Sequence, residues 1–585
     1  MNCITHVKKI IKRNKLLYSI ARQIKNTIDR NKYHKWFMAN QKISINELKQ
    51  QSGVNFSYQP LISIVVPVYN PPLKFLQEML ESVLSQSYSN WELCIADGDS
   101  GKEVKLLLQK YMNQDSRIKI TFLSENCHIC GNSNAALSLV TGEFIGLLDH
   151  DDLLAPQCLY EYVKAINLNE QVDFLYCDED FYSDGRHLLA HFKPDFALDS
   201  LRETNYITHF LVFRTDLLSK ISSPVFNPDY QGAQDYDLIL RLVENARIVV
   251  HIPHVLYHWR MHNQSTLGNP NSKNYAYENG RRVVESHLYR TGISASVTVR
   301  EHMLGIYKVS YELKSNPLVS ILIPNKNQAQ MLNNCVQSLL QKTNYNNFEI
   351  VIIENNSDEK SVFEYYKKII NEKIKVIYYP DTGFNYSKIN NWGIGHANGE
   401  FVVFLNNDTS VINPNWLVEL LQYAQFSRVG AVGAKLLFSD NTIQHAGVVI
   451  GKDSIPGNLF DSHDNSNIAQ FARTHRVQNL SVVTAACLMV KKCKFIQVGG
   501  FDERLAVAFN DVDFCLKLLQ AGYHNIFNPD AELYHYESKS RGYENNPAKK
   551  QRFSEEYNYF KIKWGDNYKD KYYPSIYDNY NYTWK

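Results

Sequence analysis

The chain has 585 residues, 44% hydrophobic and 21% charged, enough apolar side chains to bury cores, which excludes a disordered or fibrous protein. Lys and Arg number 62 against 60 Asp and Glu, so there is no global basic field and bulk nucleic-acid binding is not indicated. The length suits two large domains. Ten scattered cysteines, some within apolar strand-like runs (Cys94, Cys487), point to reduced intracellular usage and not to a disulfide framework.

The charge is uneven along the chain. Residues 1–36 hold ten Lys/Arg and one acid, Asp29, a net +9 that leaves about −7 (2 − 9) elsewhere. Ile4, Val7, Ile11, Leu17, Ile20, Ile24 and Ile28 recur mostly three or four residues apart, which predicts a basic amphipathic helical segment within residues 1–50. Such a helix binds an anionic membrane surface, each cation near the lipid adding on the order of 1 kcal/mol. The competing expectation is a helix packed on its own protein. Lysines interrupt any signal-peptide core, and no run approaches the ~18–20 apolar residues of a membrane span. The expected location is cytoplasmic, peripheral at the inner face of the cell membrane.

The chain then repeats itself. LISIVVPVYN (61–70) is echoed by LVSILIPNKN (318–327), WELCIAD (91–97) by FEIVIIE (348–354), and NAALSLVTGEFIGLLDHDD (134–152) by NWGIGHANGEFVVFLNNDT (391–409), all at one offset of 257. Farther on, QDYDLILRL (234–242) matches NDVDFCLKL (510–518) and LYHWR (256–260) matches LYHYE (533–537), at offsets of 276 and 277. The second copy has therefore gained about 20 residues, within 445–475. A constant offset across three separate blocks marks a duplicated domain.

Each copy opens with a β-branched, aliphatic run ending in Pro, Tyr or Asn, then an amphipathic helix and a second apolar run. This strand–helix–strand rhythm predicts a doubly wound α/β sheet, in which ligands sit beyond the carboxyl ends of the strands. The polar residues at those ends are Asp97 and the cluster Asp149, Asp151, Asp152 in copy one, and Glu354 and the cluster Asn406, Asn407, Asp408 in copy two.

The ordered set of opening strand, acidic second-strand end, D-x-D, (Q/N)-D-x-D and L-Y-H, present twice, resembles glycosyltransferase family 2 domains of the GT-A fold, in tandem, as in bacterial enzymes of capsule or lipopolysaccharide glycan synthesis. The resemblance implies two mixed-sheet GT-A domains, 58–312 and 316–545, followed by a Tyr/Asn-rich tail, 546–585. It implies Mn²⁺ or Mg²⁺ bound by Asp151 and His258 in copy one and by Asp408 and His535 in copy two, since hard divalent cations take oxygen ligands and neutralise a departing diphosphate. Nucleotide contacts are implied for Pro67, Tyr69, Asp97, Asp149 and Arg260, and for Pro324, Glu354, Asn406 and Arg541. Asp235 and Asp511 are implied as the bases that deprotonate the acceptor hydroxyl; first-turn acids of the following helices are the rival reading. Copy two departs from the pattern at Asn406, which makes its metal site less anionic, and at Glu354, one methylene longer than Asp.

The implied function is a bifunctional inverting glycosyltransferase. It would use nucleotide-sugar donors (UDP- or dTDP-sugars) and a glycan or lipid-linked glycan acceptor, and could polymerise a disaccharide repeat. The alternative is a single-site enzyme whose second domain binds glycan or acts as a scaffold. Cys127-His-Ile-Cys130 lacks a second pair at zinc-finger distance and is expected to carry no metal.

Overall fold

A computed structural model describes residues 30–262, 274–451, 454–466, 472–536, 547–566 and 568–573. Most of the expected basic segment (1–29) and Arg541 lie outside the described residues. The chain forms two compact units, Met1–Phe196 with Asn205–Thr291, and Ala197–Thr204 with Gly292–Lys585.

In the first unit the strands are β1 Ile62–Val68, β2 Trp91–Asp97, β3 Ile118–Phe122, β4 Phe144–Leu147, β5 Leu153–Leu154, β6 Phe174–Ser183, β7 Arg186–His191, β8 Leu211–Arg214 and β9 Val249–Arg260. They form one sheet in the order β3-β2-β1-β4-β8-β6-β9-β5, with β7 hairpinned onto β6. The second unit contains the hairpin of β10 Ala295–Val299 and β11 Tyr307–Tyr311. Its main strands are β12 Val319–Asn325, β13 Phe348–Glu354, β14 Ile374–Tyr378, β15 Phe401–Leu405, β16 Thr409–Val411, β17 Val429–Leu437, β18 Ile443–His445, β19 Val448–Ile450, β20 Pro456–Asn458, β21 Gln478–Leu480, β22 Cys487–Lys491 and β23 His524–His535. Their order, β14-β13-β12-β15-β22-β17-β23-β16, reproduces the first sheet strand for strand. The directions also agree: β1 runs parallel to β2 and β4, β8 antiparallel to β4 and β6, and β6 parallel to β9, as do their counterparts. The expected tandem pair of mixed α/β units is thus met. The hairpin β19–β20 falls in the interval where the second copy is longer.

The helices that bear on the sites are α1 (30–40), α2 Leu73–Leu84, α3 Gln234–Val243 and α4 Asn274–Arg290 in the first unit, then α5 Ala329–Lys342, α6 Asn510–Gln520 and α7 Pro547–Trp564 in the second. Buried Leu76, Met79, Leu80 and Val83 line one face of α2, and Leu332, Cys335, Val336 and Leu339 repeat that spacing on α5, as the 3.6-residue period requires. The strands β1 and β12 are apolar almost throughout because helices cover both faces.

A buried polar latch explains the shared Gly-Glu-Phe. Gly142 donates its N–H to Ser63 Oγ (2.9 Å), and Ser63 donates to Glu92 (2.6 Å), which also pairs with Lys119 (2.6 Å). In the second unit Gly399, Ser320, Glu349 and Lys375 make the same chain at 2.8, 2.6 and 3.0 Å. A Cβ on Gly142 would stand 2.5 Å from Ser63 Oγ, and one on Gly399 2.6 Å from the Ser320 nitrogen, so only glycine fits. Burial opposes ionisation of Glu92, but Lys119, Ser63 and Thr141 overcome it and bring the carboxyl down to about 2. A depressed acid stabilises the fold above its unfolded pKa and loses that contribution as pH falls. Glu92→Gln is therefore expected to cost on the order of 1–3 kcal/mol at neutral pH, and chemical denaturation should show the deficit shrinking between pH about 4.5 and about 2.

Candidate active sites

In the first unit the Asp149–Asp152 turn follows β4 and leads into β5. Asp152 is buried, takes the Tyr257 hydroxyl and the Arg260 N–H (2.7 Å), and its pKa is raised well above the usual carboxylate range by burial and by the neighbouring charges of Asp151 and Asp149. Asp151 is partly exposed and contacts His262 Nε2 at 2.7 Å. Asp149 is half-exposed, 3.8 Å from His209 Nε2. Arg260 turns inward: its Nε donates to the Asp151 carbonyl (2.6 Å) and its Nη2 pairs with Glu78 of α2 (2.7 Å). It braces the turn, with its guanidinium over Phe75.

The strand-end His258 donates from Nδ1 to Asp180 Oδ1 (2.7 Å), while Asp180 Oδ2 accepts from His187 Nδ1 (2.8 Å) and from the Tyr33 hydroxyl (2.9 Å). Asp180, His187 and His258 bring one potential ligand atom each within 4.8 Å of one another, a set able to hold a cation. Asp151 is not among them. Tyr33 belongs to α1, and Phe37 of the same helix stacks on His187 (centroids 3.6 Å apart). Residues 30–36, read from the sequence as the end of a membrane-facing segment, therefore reach the folded site.

Asp235 lies in the first turn of α3, whose N-cap is Ala233 with no side-chain cap; its Oδ2 instead accepts from Asn205 (2.9 Å). Burial raises its pKa, opposed by His209 and reinforced by Asp149. His209 is itself raised to about 9: burial works against its charge, but Glu179, Asp149 and Asp152 prevail. A cation thus stands beside the D-x-D turn at neutral pH.

At the end of β2, Asp97 is fully buried and accepts the Ser100 N–H. Tyr69, just past β1, is exposed, and the carbonyl of Pro67 meets His150 Nδ1 at 3.0 Å.

The second unit repeats the plan with different side chains. Glu354 accepts from the Ser357 N–H and hydroxyl and from the Tyr366 hydroxyl (2.6 Å), so its carboxylate is already engaged in its own loop. Pro324 sits on β12 beside Asn325, which binds Asn407 (2.7 Å). His535 ends β23; its Nδ1 lies 2.6 Å from Gln444 Oε1 and therefore carries the proton. Its Nε2 then presents a lone pair to Asn406 Nδ2 (3.1 Å) and also lies 3.1 Å from Asp408 Oδ1. That carboxylate oxygen is buried and accepts no hydrogen bond from the described residues. A lone pair facing an orphaned carboxylate oxygen is an arrangement completed by a cation, and an N/O donor set suits Mn²⁺ or Mg²⁺. Asp511, in the first turn of α6, accepts from the Ala485 N–H (3.1 Å) and the Val512 N–H (2.9 Å), and burial raises its pKa against these bonds.

Asp180, His187, His209, Asn205 and Gln444 were not singled out from the sequence. The acidic run Asp178–Asp180, closing the buried stretch Phe174–Cys177, was a signal available for Asp180.

The sequence profile of glycosyl transferase family 2 matches residues 63–222 and 320–481, more than half of the chain, once in each copy of the repeat. The chain belongs to glycosyl transferase family 2. It is 43% identical over 511 residues to the uncharacterized protein y4gI of Sinorhizobium fredii, covering 86% of this chain and 56% of that one. It is 36% identical over 495 residues to the O-antigen biosynthesis protein RfbC of Myxococcus xanthus, covering 84% and 38%. The chain thus spans about half or less of the length of these family 2 relatives. Among solved structures, that of S. aureus TarS 1-349 in complex with UDP-GlcNAc is 20% identical, covering 39% of this chain and 66% of that one, with a TM-score of 0.33. No described helix of this family 2 chain is long and apolar enough to cross a membrane.

Removal of a partner that orients a metal-binding histidine typically costs 10–100-fold in affinity. Gln444→Ala is expected to weaken Mn²⁺ binding by the second unit by that factor, read from the EPR signal of free Mn²⁺ in a titration; unchanged affinity would remove His535 from the ligand set.

Proposed function

We propose that the chain is a two-site, inverting glycosyltransferase, each unit moving one sugar from a nucleotide-sugar donor to a growing bacterial surface glycan of capsule or O-antigen type. The observation that carries this reading is the recurrence of one constellation on two matching sheets: a strand-end histidine, a polar turn after the fourth strand, and a carboxylate with a burial-raised pKa at a helix start. In each unit the base, Asp235 or Asp511, takes the acceptor hydroxyl's proton as its oxygen bonds to the anomeric carbon and the bond to the diphosphate oxygen breaks. With Asp235 or Asp511 as a single base, the family resemblance implies direct displacement with inversion. A divalent cation held by Asp151 with His258, or by Asp408 with His535, would neutralise charge on the leaving diphosphate. His209 supplies a further cation in the first unit, where Asp149 and Asp151 make the turn more anionic than its Asn406-containing counterpart. Asp97 and Glu354 are the proposed nucleobase contacts.

The distinct turns suit two donors, and alternation between sites would build a disaccharide repeat. The second reading, in which the second unit only binds or positions glycan, draws on Glu354, whose carboxylate is spent on Ser357 and Tyr366. For an anionic membrane surface, the proposed contact is residues 1–29, since Tyr33 and Trp36 are buried in the first unit.

Release of nucleoside diphosphate from a panel of UDP-, dTDP-, GDP- and CMP-sugars tests the reading. Asp235→Asn and Asp511→Asn should each abolish a different transfer; if Asp511→Asn spared every transfer, the second site would be inert. Because both bases have raised pKa values, activity should fall with decreasing pH above the usual carboxylate range. A neighbouring cation favours the ionised base, so His209→Gln is expected to move the acid limb of the first transfer to higher pH and leave the second unmoved.

A further inference from the structure

The Q-D-Y-D and N-D-V-D turns are each gripped by a helix that follows the catalytic-strand histidine in the chain, and neither helix figures in the site as described above. In the second unit the grip comes from α7. Its Glu556 is buried and accepts from the N–H groups of Val507 (3.0 Å) and Ala508 (2.8 Å). The next residue, Phe509, is the N-cap of α6 and adopts a left-handed φ of +62°, a conformation that a residue with a Cβ holds only when its surroundings enforce it. Here α7 enforces it twice: Glu556 ties the two preceding amides, and Phe560 stacks on the Phe509 ring (5.4 Å, 23°) with Phe553 at 5.2 Å. From the far end of α7, Trp564 Nε1 donates to Asp513 Oδ1 (2.8 Å) and Lys563 pairs with the same oxygen (2.7 Å). Asp511 sits between these two anchors, two residues past Phe509 and two before Asp513.

The first unit independently does the same with other side chains. In α4, Asn279 donates to the Gln231 carbonyl (2.8 Å) and Arg282 to the Asp229 carbonyl (3.1 Å). Gly232, at φ +84°, lies so close under α4 that an added Cβ would come within 2.8 Å of Ala276 Cβ. In both units a left-handed residue lies just before the base helix, Phe509 at the N-cap of α6 and Gly232 one residue ahead of the N-cap Ala233 of α3, and in both the trailing helix packs on it.

We propose that these trailing helices are positioning elements for the two bases, and that Glu556 is the positioning residue that sets Asp511. The inference rests on reading Asp511 as a base. Glu556 touches the Val507–Ala508 amides and not Asp511 itself. Its removal lets Phe509 relax, and the relaxation is transmitted through the first turn of α6 to the carboxylate. The donor-side groups, Asp408 in the turn after β15 and His535 at the end of β23, lie on other elements and are not reached.

The test is the full chain carrying Glu556→Gln, a change that keeps the volume but sets an NH₂ donor against one amide, assayed on whichever nucleotide-sugar transfer Asp511→Asn abolishes. A displacement of about 1 Å in a reacting group can cost ~10²-fold, so the expected result is a 10–100-fold fall in kcat with the donor KM within twofold. The acid limb of the pH profile should shift toward the ordinary carboxylate range as Asp511 becomes more solvated, and the Asp235-dependent transfer should be unchanged. Trp564→Phe, which removes the indole N–H to Asp513 together with part of the ring, should move kcat in the same direction by a smaller factor. An unchanged kcat in Glu556→Gln would overturn the inference, as would a fall in kcat matched by a rise in donor KM with the acid limb unmoved, the pattern of a second unit that has simply loosened. If no transfer depends on Asp511, the reading of that residue as a base fails, and this inference with it; a transfer that needs Asp511 but not Glu556 removes the inference alone.

Discussion

The parallel pairing of β6 with β9, and of β17 with β23, governs the carboxyl end of each sheet. These last strands are twelve residues long and pair on their other edge with the two- or three-residue strand that leaves the polar turn, Leu153 opposite His258 and Thr409 opposite His535. That register puts a histidine beside the turn in both units. Bulges interrupt both long pairings, which re-aims side chains near a site at the expense of ladder hydrogen bonds. A one-residue slip would send each histidine to the opposite face.

On this common frame the two units hold their histidines differently. His258 is oriented by Asp180, a carboxylate, and His535 by Gln444, a neutral amide. A carboxylate partner makes the imidazole a stronger electron donor than an amide does. The turns differ in the same sense, with Asp149 where the second unit has Asn406. The first site is therefore richer in negative charge both at the turn and behind the histidine, and it balances part of that charge with the protonated His209. In the second unit His445, whose Nε2 meets the Thr484 N–H, is buried and pushed down to about 4, so it adds no positive charge.

Much of the architecture was legible before any coordinates. The duplication could be read from three blocks at one offset, because the residues in those blocks are fixed by the sheet and by the Gly–Ser–Glu latch, and so tolerate little change in either copy. The strand-end carboxylates were legible because α/β sheets expose those ends. What could not be read is what each carboxylate touches. Arg260 looked available for a diphosphate, and only its distances to Glu78 and the Asp151 carbonyl reveal a brace. Asp180 and Gln444 act through hydrogen bonds to histidines 78 and 91 residues away, pairings that no local periodicity encodes. The Tyr/Asn-rich tail holds α7, whose partners lie about fifty residues earlier.

The position of α7 in the chain also orders events during synthesis. Domains fold as they emerge from the ribosome, N-terminal first. All the described elements of the first site, from Tyr33 to α4, are complete by Arg290. The second site, by contrast, has its turn, histidine and Asp511 made by residue 535, yet the segment before Asp511 lacks its contacts to α7 until Glu556 and Trp564 have been added. One half of the molecule is therefore structurally finished while the other is still being written, and a chain cut short just after β23 would carry the polar turn, the histidine and Asp511 without the helix that packs on the turn before it.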